Sequence, residues 1–469
     1  MKRGWIVILF LSLTIPAWSA DEASAAAGDS GGEIRNPKSE IRNPIKASVI
    51  RPTSVLAGRR TVTGELSLEE AVAIALRESP RLGVAAQEAQ MAEAMTRSMQ
   101  AMTRPTLSTT TSLSTANRNM ILGTPAPVLP SSMGMLPDRP AWDQNVMAML
   151  PLSTGGRLAG LVGGARAQFR AAQSDLATMR LDVALATRVA YRQVLLAAAI
   201  VRIYEELVRT DEERLRIDQV AAEVGKIPLF YVLRDEAELA DARQKLIEAR
   251  RDHDLSLVEL RAIMGVHPAS KITLTDELAM EPFAGTLEEA LAAAEEHRPE
   301  LAAIRHRIAA GKQDVKVAQS AYRPQTYLMA MAEAVVADRT EEGYLIGVVA
   351  SLPLLDGGGR RAAVDQARAN VARLTEQEQE LALRIASEVT QEFLNVKAAE
   401  ESVHTAEQVL KAAREDYRVA QLRYEAGKGI NVEVLDTLAA LVRAQTNHVR
   451  ALFDFNVARD RLRRAIGQP

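Results

Sequence analysis

Few side chains in this sequence are spaced for chemistry. The six histidines, His253, His267, His297, His306, His404 and His448, follow no metal-ligand spacing. The chain has no cysteine, which removes disulfides, thiolate metal sites, cysteine nucleophiles and an amino-terminal lipid anchor. Asp356-Gly357-Gly358-Gly359-Arg360-Arg361 is glycine-rich like a phosphate loop but lacks the G-x-x-x-x-G-K-[ST] pattern. A strand-to-helix corner accounts for it, and Gly155 and Gly156 sit in a matching Ser-Thr-Gly-Gly-Arg segment. No Ser-His-Asp or paired-carboxylate arrangement stands out, so neither catalysis nor a cofactor is expected. What remains is Glu433 and Asp436, three residues apart and therefore on one helix face. The helix macrodipole alone favours acids in a first turn. Alternatively, several chains bring these carboxylates together around an opening, as a cation-attracting ring.

The elements that must position this pair are long helices. Arg360–Ala426 and Val432–Ile466 hold no Pro or Gly, so the segment between them, from Gly427, Lys428 and Gly429 to Ile430 and Asn431, is a sharp reversal. A simpler copy stands at Gly225-Lys226-Ile227-Pro228. Upstream of that copy, apolar residues recur from Leu176 through Val183, Ala190 and Ala197 to Val208 in steps of three and four, a near-heptad seam. At 1.5 Å per residue, roughly 65 residues of helix extend on the order of 100 Å, which implies an elongated coiled coil.

Composition agrees. The 469 residues include only 4 % aromatics, while Ala, Glu, Gln, Arg and Leu dominate, as in long packed helices. A net charge of −3 points away from nucleic acid. Lys2 and Arg3 followed by the apolar run Trp5–Ile15 predict a signal peptide over 1–20, hence export. The segment 21–63, with its duplicated Glu-Ile-Arg-Asn-Pro at 33–37 and 40–44, is expected to be a disordered linker. No later segment has 18 consecutive apolar residues, so any crossing of a membrane must use strands.

From residue 64 the chain follows one plan twice, over 64–284 and 285–469. Leu68 matches Leu287, Pro80 matches Pro299, and Arg104-Pro105 matches Arg323-Pro324. Further on, Pro151 matches Pro353 and Gly225 matches Gly427. Each half opens with a capping box, Ser67 with Glu70 or Thr286 with Glu289. Helices over about 81–103 and 300–322 follow. Then the apolar period becomes two, predicting hairpins at about 105–152 and 325–353 with strands Thr106–Ala116, Ala141–Leu152, Gln325–Val335 and Tyr344–Leu352. These are long enough to cross a bilayer at a tilt. The loop at 117–140 is long and that at 336–343 short, a pattern suited to the outer face of a membrane barrel. A soluble hairpin in a helical protein is the other reading.

Signal peptide, duplication, hairpin-to-long-helix order, the LPLLDGGGRR corner and the YEAGKGINVEVLD reversal together resemble the TolC-type outer-membrane efflux family, over about residues 66–468. The resemblance implies a mainly α protein with a small β part. In it a homotrimer's long α-helical coiled-coil barrel continues into a 12-stranded transmembrane β-barrel, four strands per chain, in outer-membrane lipid. Most of the chain would lie in the periplasm. It also implies a passive channel, or exit duct, of a tripartite efflux or type I secretion system, without a cofactor. Its partners would be a periplasmic adaptor (membrane fusion protein) and an inner-membrane transporter. The family's aperture pattern lands on Tyr424, Gly427, Glu433 and Asp436, with Gly225, Lys226, Gly427, Lys428 and Gly429 as docking tips. The chain departs from the family prototype at three places: Glu433 replaces Asp, Gly429 replaces a basic residue, and Tyr231 replaces an Asp of the closing network. Lacking a lipidated cysteine, it resembles the unlipidated branch. The competing expectation is an exported soluble coiled-coil scaffold or adaptor with no pore. A wide duct needs no specific pocket, so drug, metal-ion and protein export all fit these residues.

Overall fold

A computed structural model describes residues 58–114, 141–280, 285–336 and 340–468. The expected signal peptide, most of the linker and the loop at 117–140 lie outside the described residues. Helix dominates, and the element order repeats. In the first half α1 (Leu68–Glu78), α2 (Pro80–Ala101), β2 (Thr106–Ser114), β3 (Ala141–Ser153), α3 (Arg157–Glu223) and α4 (Leu229–Met264) follow one another. In the second half the series is α5 (Leu287–His297), α6 (Pro299–Ser320), β5 (Gln325–Val336), β6 (Thr340–Ser351), α7 (Gly359–Glu425) and α8 (Asn431–Ala465). Helix α7, with 67 residues, matches the Pro- and Gly-free run 360–426, and α3 is equally long although Gly160, Gly163 and Gly164 lie in its first turns.

Local chemistry sets the boundaries. Ser67 Oγ accepts the Glu70 amide while Glu70 accepts the Ser67 amide, and Thr286 with Glu289 repeats the box. Pro80 and Pro299 occupy the first position of α2 and α6, where the missing N–H costs nothing. The two strand-to-helix corners are capped differently. Thr154 Oγ1 accepts the Leu158 amide at 3.2 Å; Asp356 accepts the Arg360 amide at 2.7 Å and its guanidinium at 2.9 Å. Those contacts hold the Asp356 carboxyl below its ordinary range, the backbone bond from Arg360 being the main cause.

The four long strands form one antiparallel sheet in the order β2-β3-β5-β6, so the two hairpins meet through β3 and β5 while β2 and β6 lie at open edges. Strand β6 begins at Thr340 rather than near Tyr344, because Glu341 and Glu342 continue the pairing with β5 despite their charge. Alternate residues divide the sheet into two faces. One carries Leu107, Trp142, Val146, Leu328, Tyr344, Ile346 and Val348, all exposed. The other carries Thr106, Ser108, Asp143, Asn145 and Glu333 among four methionines.

Two strands were not anticipated. β1 (Thr63–Leu66) pairs in parallel with β4 (Lys271–Leu274). The end of the expected linker is therefore docked: Arg60 O accepts the His267 amide at 3.0 Å, and the Val62 amide reaches Ser270 Oγ at 3.1 Å. Beside this pair lies one apolar cluster around Tyr191, Val194, Leu260 and Met264; a second surrounds Val389, Val396, Phe455 and Leu462. The predicted seam is buried at Val183, Ala190, Val194 and Ala197. One 18-residue window of α3 is apolar enough to span a bilayer by composition, but 61 % of it is buried inside the protein, as a core helix requires.

Candidate functional site

The expected site lies at the two helix reversals, and their geometry follows from glycine. At the first, Gly225 takes φ +71° beyond the last turn of α3, and the Lys226 amide closes back on Ala221 O at 2.8 Å. At the second, Gly427 takes φ +68° and the Lys428 amide reaches Arg423 O at 2.8 Å. Only glycine adopts this left-handed conformation without strain. Gly429 is tightly placed rather than left-handed. A Cβ there would come within 3.1 Å of Tyr424 N and 3.3 Å of Arg423 C, so a side chain would make the reversal shift by a few tenths of an ångström. Lys226 and Lys428 are both exposed.

The tips differ in surface. Around Gly225, Val224, Leu229, Phe230 and Leu233 are each more than half exposed, and Phe230 meets Tyr231 edge-on with ring centroids 5.8 Å apart. Tyr231, the residue in place of the family's Asp, thus sits in an aromatic contact. The second tip carries the acids but does not hold them alike. Arg423 donates to Glu433 at 2.9 Å across the reversal. Asp436 is exposed, and no ion pair reaches it among the described residues.

Beneath the tips the structure assembles a polar cluster that sequence reasoning missed. Tyr424 Oη donates to Asp218 at 3.2 Å; Asn431 Nδ2 lies 3.5 Å from Asp218 and 3.4 Å from Asp235. Arg214 pairs with Asp211 and lies 3.5 Å from Asp235. Asp211, Asp218, Asp235 and Asn431 are all buried, and they come from α3, α4 and α8, with Tyr424 from α7. Asn431, assigned to the turn by the sequence, is the first residue of α8 and points inward. Burial pushes the Asp211 carboxyl up to about 6, against the opposing pull of Arg214, and burial raises Asp235 as well. The Tyr424 hydroxyl is pushed up to about 12, by burial first and the Asp218 charge second. A signal for this cluster existed. Asp211 and Asp218 continue the sevenfold spacing of Val183, Ala190, Ala197 and Tyr204, so two carboxylates occupy seam positions.

Glu433 and Asp436 do not join this cluster. The site therefore has two layers, a buried one locking both reversals together and an outer one presenting an acidic side chain to solvent. The corner glycines lie at the other end of α3 and α7. Gly155 and Gly156 have φ +61° and +95°, Gly357 and Gly358 +63° and +93°, while Gly359 is already the first residue of α7.

Long helices meeting in paired reversals, with an open-edged four-stranded sheet at their far end, give the fold of an outer-membrane channel. The solved Campylobacter jejuni CmeC outer membrane channel superposes with a TM-score of 0.72 at 17 % identity, over 85 % of each chain. The model of the outer membrane efflux protein family matches residues 71–266 and 290–468, and the chain belongs to that family. Among relatives, the pyoverdine export outer membrane protein OpmQ of Pseudomonas aeruginosa is 24 % identical over 304 residues, 60 % of this chain and 62 % of that protein. The alkaline protease secretion protein AprF of the same organism is 24 % identical over 308 residues, 63 % and 62 %. The chain thus spans a little over three-fifths of the length of these relatives.

Proposed function

We propose that this protein is the outer-membrane exit duct of a tripartite efflux or type I secretion system, acting as a homotrimer. The observation that carries this reading is the sheet. Its edge strands β2 and β6 each have one side unpaired among the described residues, and one face carries the exposed Leu107, Trp142, Val146, Leu328, Tyr344, Ile346 and Val348, with Gln144 and Glu342 toward one end. Open edges cannot face lipid, so the sheet closes only by sharing a barrel with other chains. Three copies give 12 strands, and α3, α4, α7 and α8 continue from the barrel into the periplasm. The halves 64–284 and 285–469 act as two successive repeats of each chain.

At the far end the reversals form the aperture. Asp436, with Glu433, lines the opening, while the apolar Gly225 tip with Lys226 receives a periplasmic adaptor attached to an inner-membrane transporter. The second tip at Gly427, Lys428 and Gly429 lies beside it. The duct is passive, because the transporter supplies the energy. The relatives named for pyoverdine export and for alkaline protease secretion support a passage without a specific pocket.

The test is fractionation and conductance. The protein should sediment with outer membranes, run as a trimer with heat-modified mobility and conduct in planar bilayers. Recovery in the soluble periplasmic fraction would establish the scaffold reading instead.

A further inference from the structure

The polar face of the sheet contains a feature that a duct does not require. Strand register sets Met147 opposite Met331 and Met149 opposite Met329, so four of the chain's 15 methionines form two adjacent cross-strand pairs on one face. Opposed residues on an antiparallel pair have Cβ atoms about 5 Å apart and diagonal ones about 7–8 Å. With three rotatable bonds each, the four thioethers can converge on one point between the strands.

Core packing does not explain them. Met149 is 38 % exposed and the other three are half-buried. Their neighbours toward one edge are Ser108 and Thr106, whose hydroxyls donate to Met147 O and Met149 O at 3.4 Å. Toward the other edge Leu345 stands opposite Met331, and Gly347 stands opposite Met329 and leaves open space where a side chain would be. The next positions along the same face are Asn145 and Glu333, followed by Asp143, which put acceptors and negative charge beside the sulfurs. The interior of a transmembrane barrel is ordinarily polar. A thioether patch beside carboxylates is out of that pattern.

We infer that Met147, Met149, Met329 and Met331 form a binding site for a soft monovalent cation, Cu(I) or Ag(I). Thioether sulfur selects such ions over Na⁺, Mg²⁺ or Ca²⁺, and binding needs no proton release because thioethers are neutral. The nearby carboxylates raise the local cation concentration without being ligands. Binding rests on the strand register alone; that the ion sits in a lumen rests on the duct reading above.

The experiment uses the full chain in detergent and Ag(I) as the probe, in chloride-free nitrate buffer. Equilibrium dialysis with metal analysis counts the ions retained. The wild type is expected to retain about one Ag(I) per chain more than the M147L/M149L/M329L/M331L variant, whose substitutions nearly conserve volume. The M147L/M331L pair alone should weaken binding at least tenfold. A control variant, M91L/M95L/M102L, removes three exposed thioethers from α2 and from the residue that caps it, and should bind as the wild type does. Heat-modified mobility verifies that each variant assembles. Equal silver retention by an assembled quadruple variant, or loss in the α2 control instead, overturns the site. Conductance of the same preparations separates the two readings. Channels without a silver difference remove the metal site and leave the duct, whereas a silver difference without channels does the reverse.

Discussion

At the residue scale, the two acids singled out by their spacing are not equivalent. Glu433 is already neutralised by Arg423 across the reversal, whereas Asp436 faces solvent. Replacing both by Ala should therefore weaken cation block of single-channel current, and Asp436→Ala alone should produce most of that effect. Equal contributions from the two single variants would remove the distinction. The buried layer predicts a pH dependence. Asp211 faces Arg214 on its own helix, Asp235, Glu238 and Lys245 on α4, Tyr417 on α7 and Arg443 on α8. Its carboxyl is raised to about 6 from 3.8, so the folded tip holds the proton more tightly than the open one. The stabilisation is complete below 3.8 and is lost as pH rises through about 6. Amides around residues 211–218 should exchange severalfold more slowly at pH 5 than at pH 8, after correction for the intrinsic rate. Asp211→Asn should reduce that difference, the remainder coming from Asp235, whose carboxyl burial raises in the same direction.

At the scale of elements, the two strand-to-helix corners share a backbone conformation but not an environment. A Cβ at Gly155 would lie 2.7 Å from Arg323 Cβ and 2.9 Å from Ser320 O, while one at Gly357 meets nothing within 4 Å. Both Gly→Ala changes incur the left-handed penalty of about 1–2 kcal/mol. Gly155→Ala must in addition displace the end of α6, a further cost of about 1–3 kcal/mol. Thermal unfolding should rank Gly155→Ala well below Gly357→Ala; equal losses would show that the corner relaxes freely. Element starts were readable because each carries its own local signal, such as Ser67 with Glu70 or the alternation beginning at Thr106. β1 and β4 carried none. Each has four residues, and their parallel pairing joins positions 208 apart, so neither could be recognised without the other.

At the scale of the whole molecule, buried charge ties the two halves together. Arg192 on α3 and Asp460 on α8 pair at 2.6 Å with side chains 8 % and 0 % exposed. Arg298 and Arg464 bind Glu388 and Glu300, and Arg464 also reaches Asp182, joining α3, α6, α7 and α8. Removing one partner of a buried pair leaves the other uncompensated, which costs about 3–5 kcal/mol. Asp460→Ala should lower denaturant stability by that amount, and a loss below about 1 kcal/mol, typical of exposed pairs, would mean that water reaches Arg192.

The sequence by itself determined the helix lengths, the reversals, the corners and the alternation of the strands. Glycine, proline, capping pairs and hydrophobic period act within a few residues of where they stand, so they are legible in order along the chain. Only the tertiary structure decided which distant positions meet. It set Asp218 against Tyr424 and Asn431, tied Glu433 to Arg423, and aligned four methionines by the register of β3 on β5. Such contacts depend on how long helices and strands align over hundreds of residues, and a change of one residue in the register of β3 on β5 would put the methionines of one strand on the opposite face from those of the other.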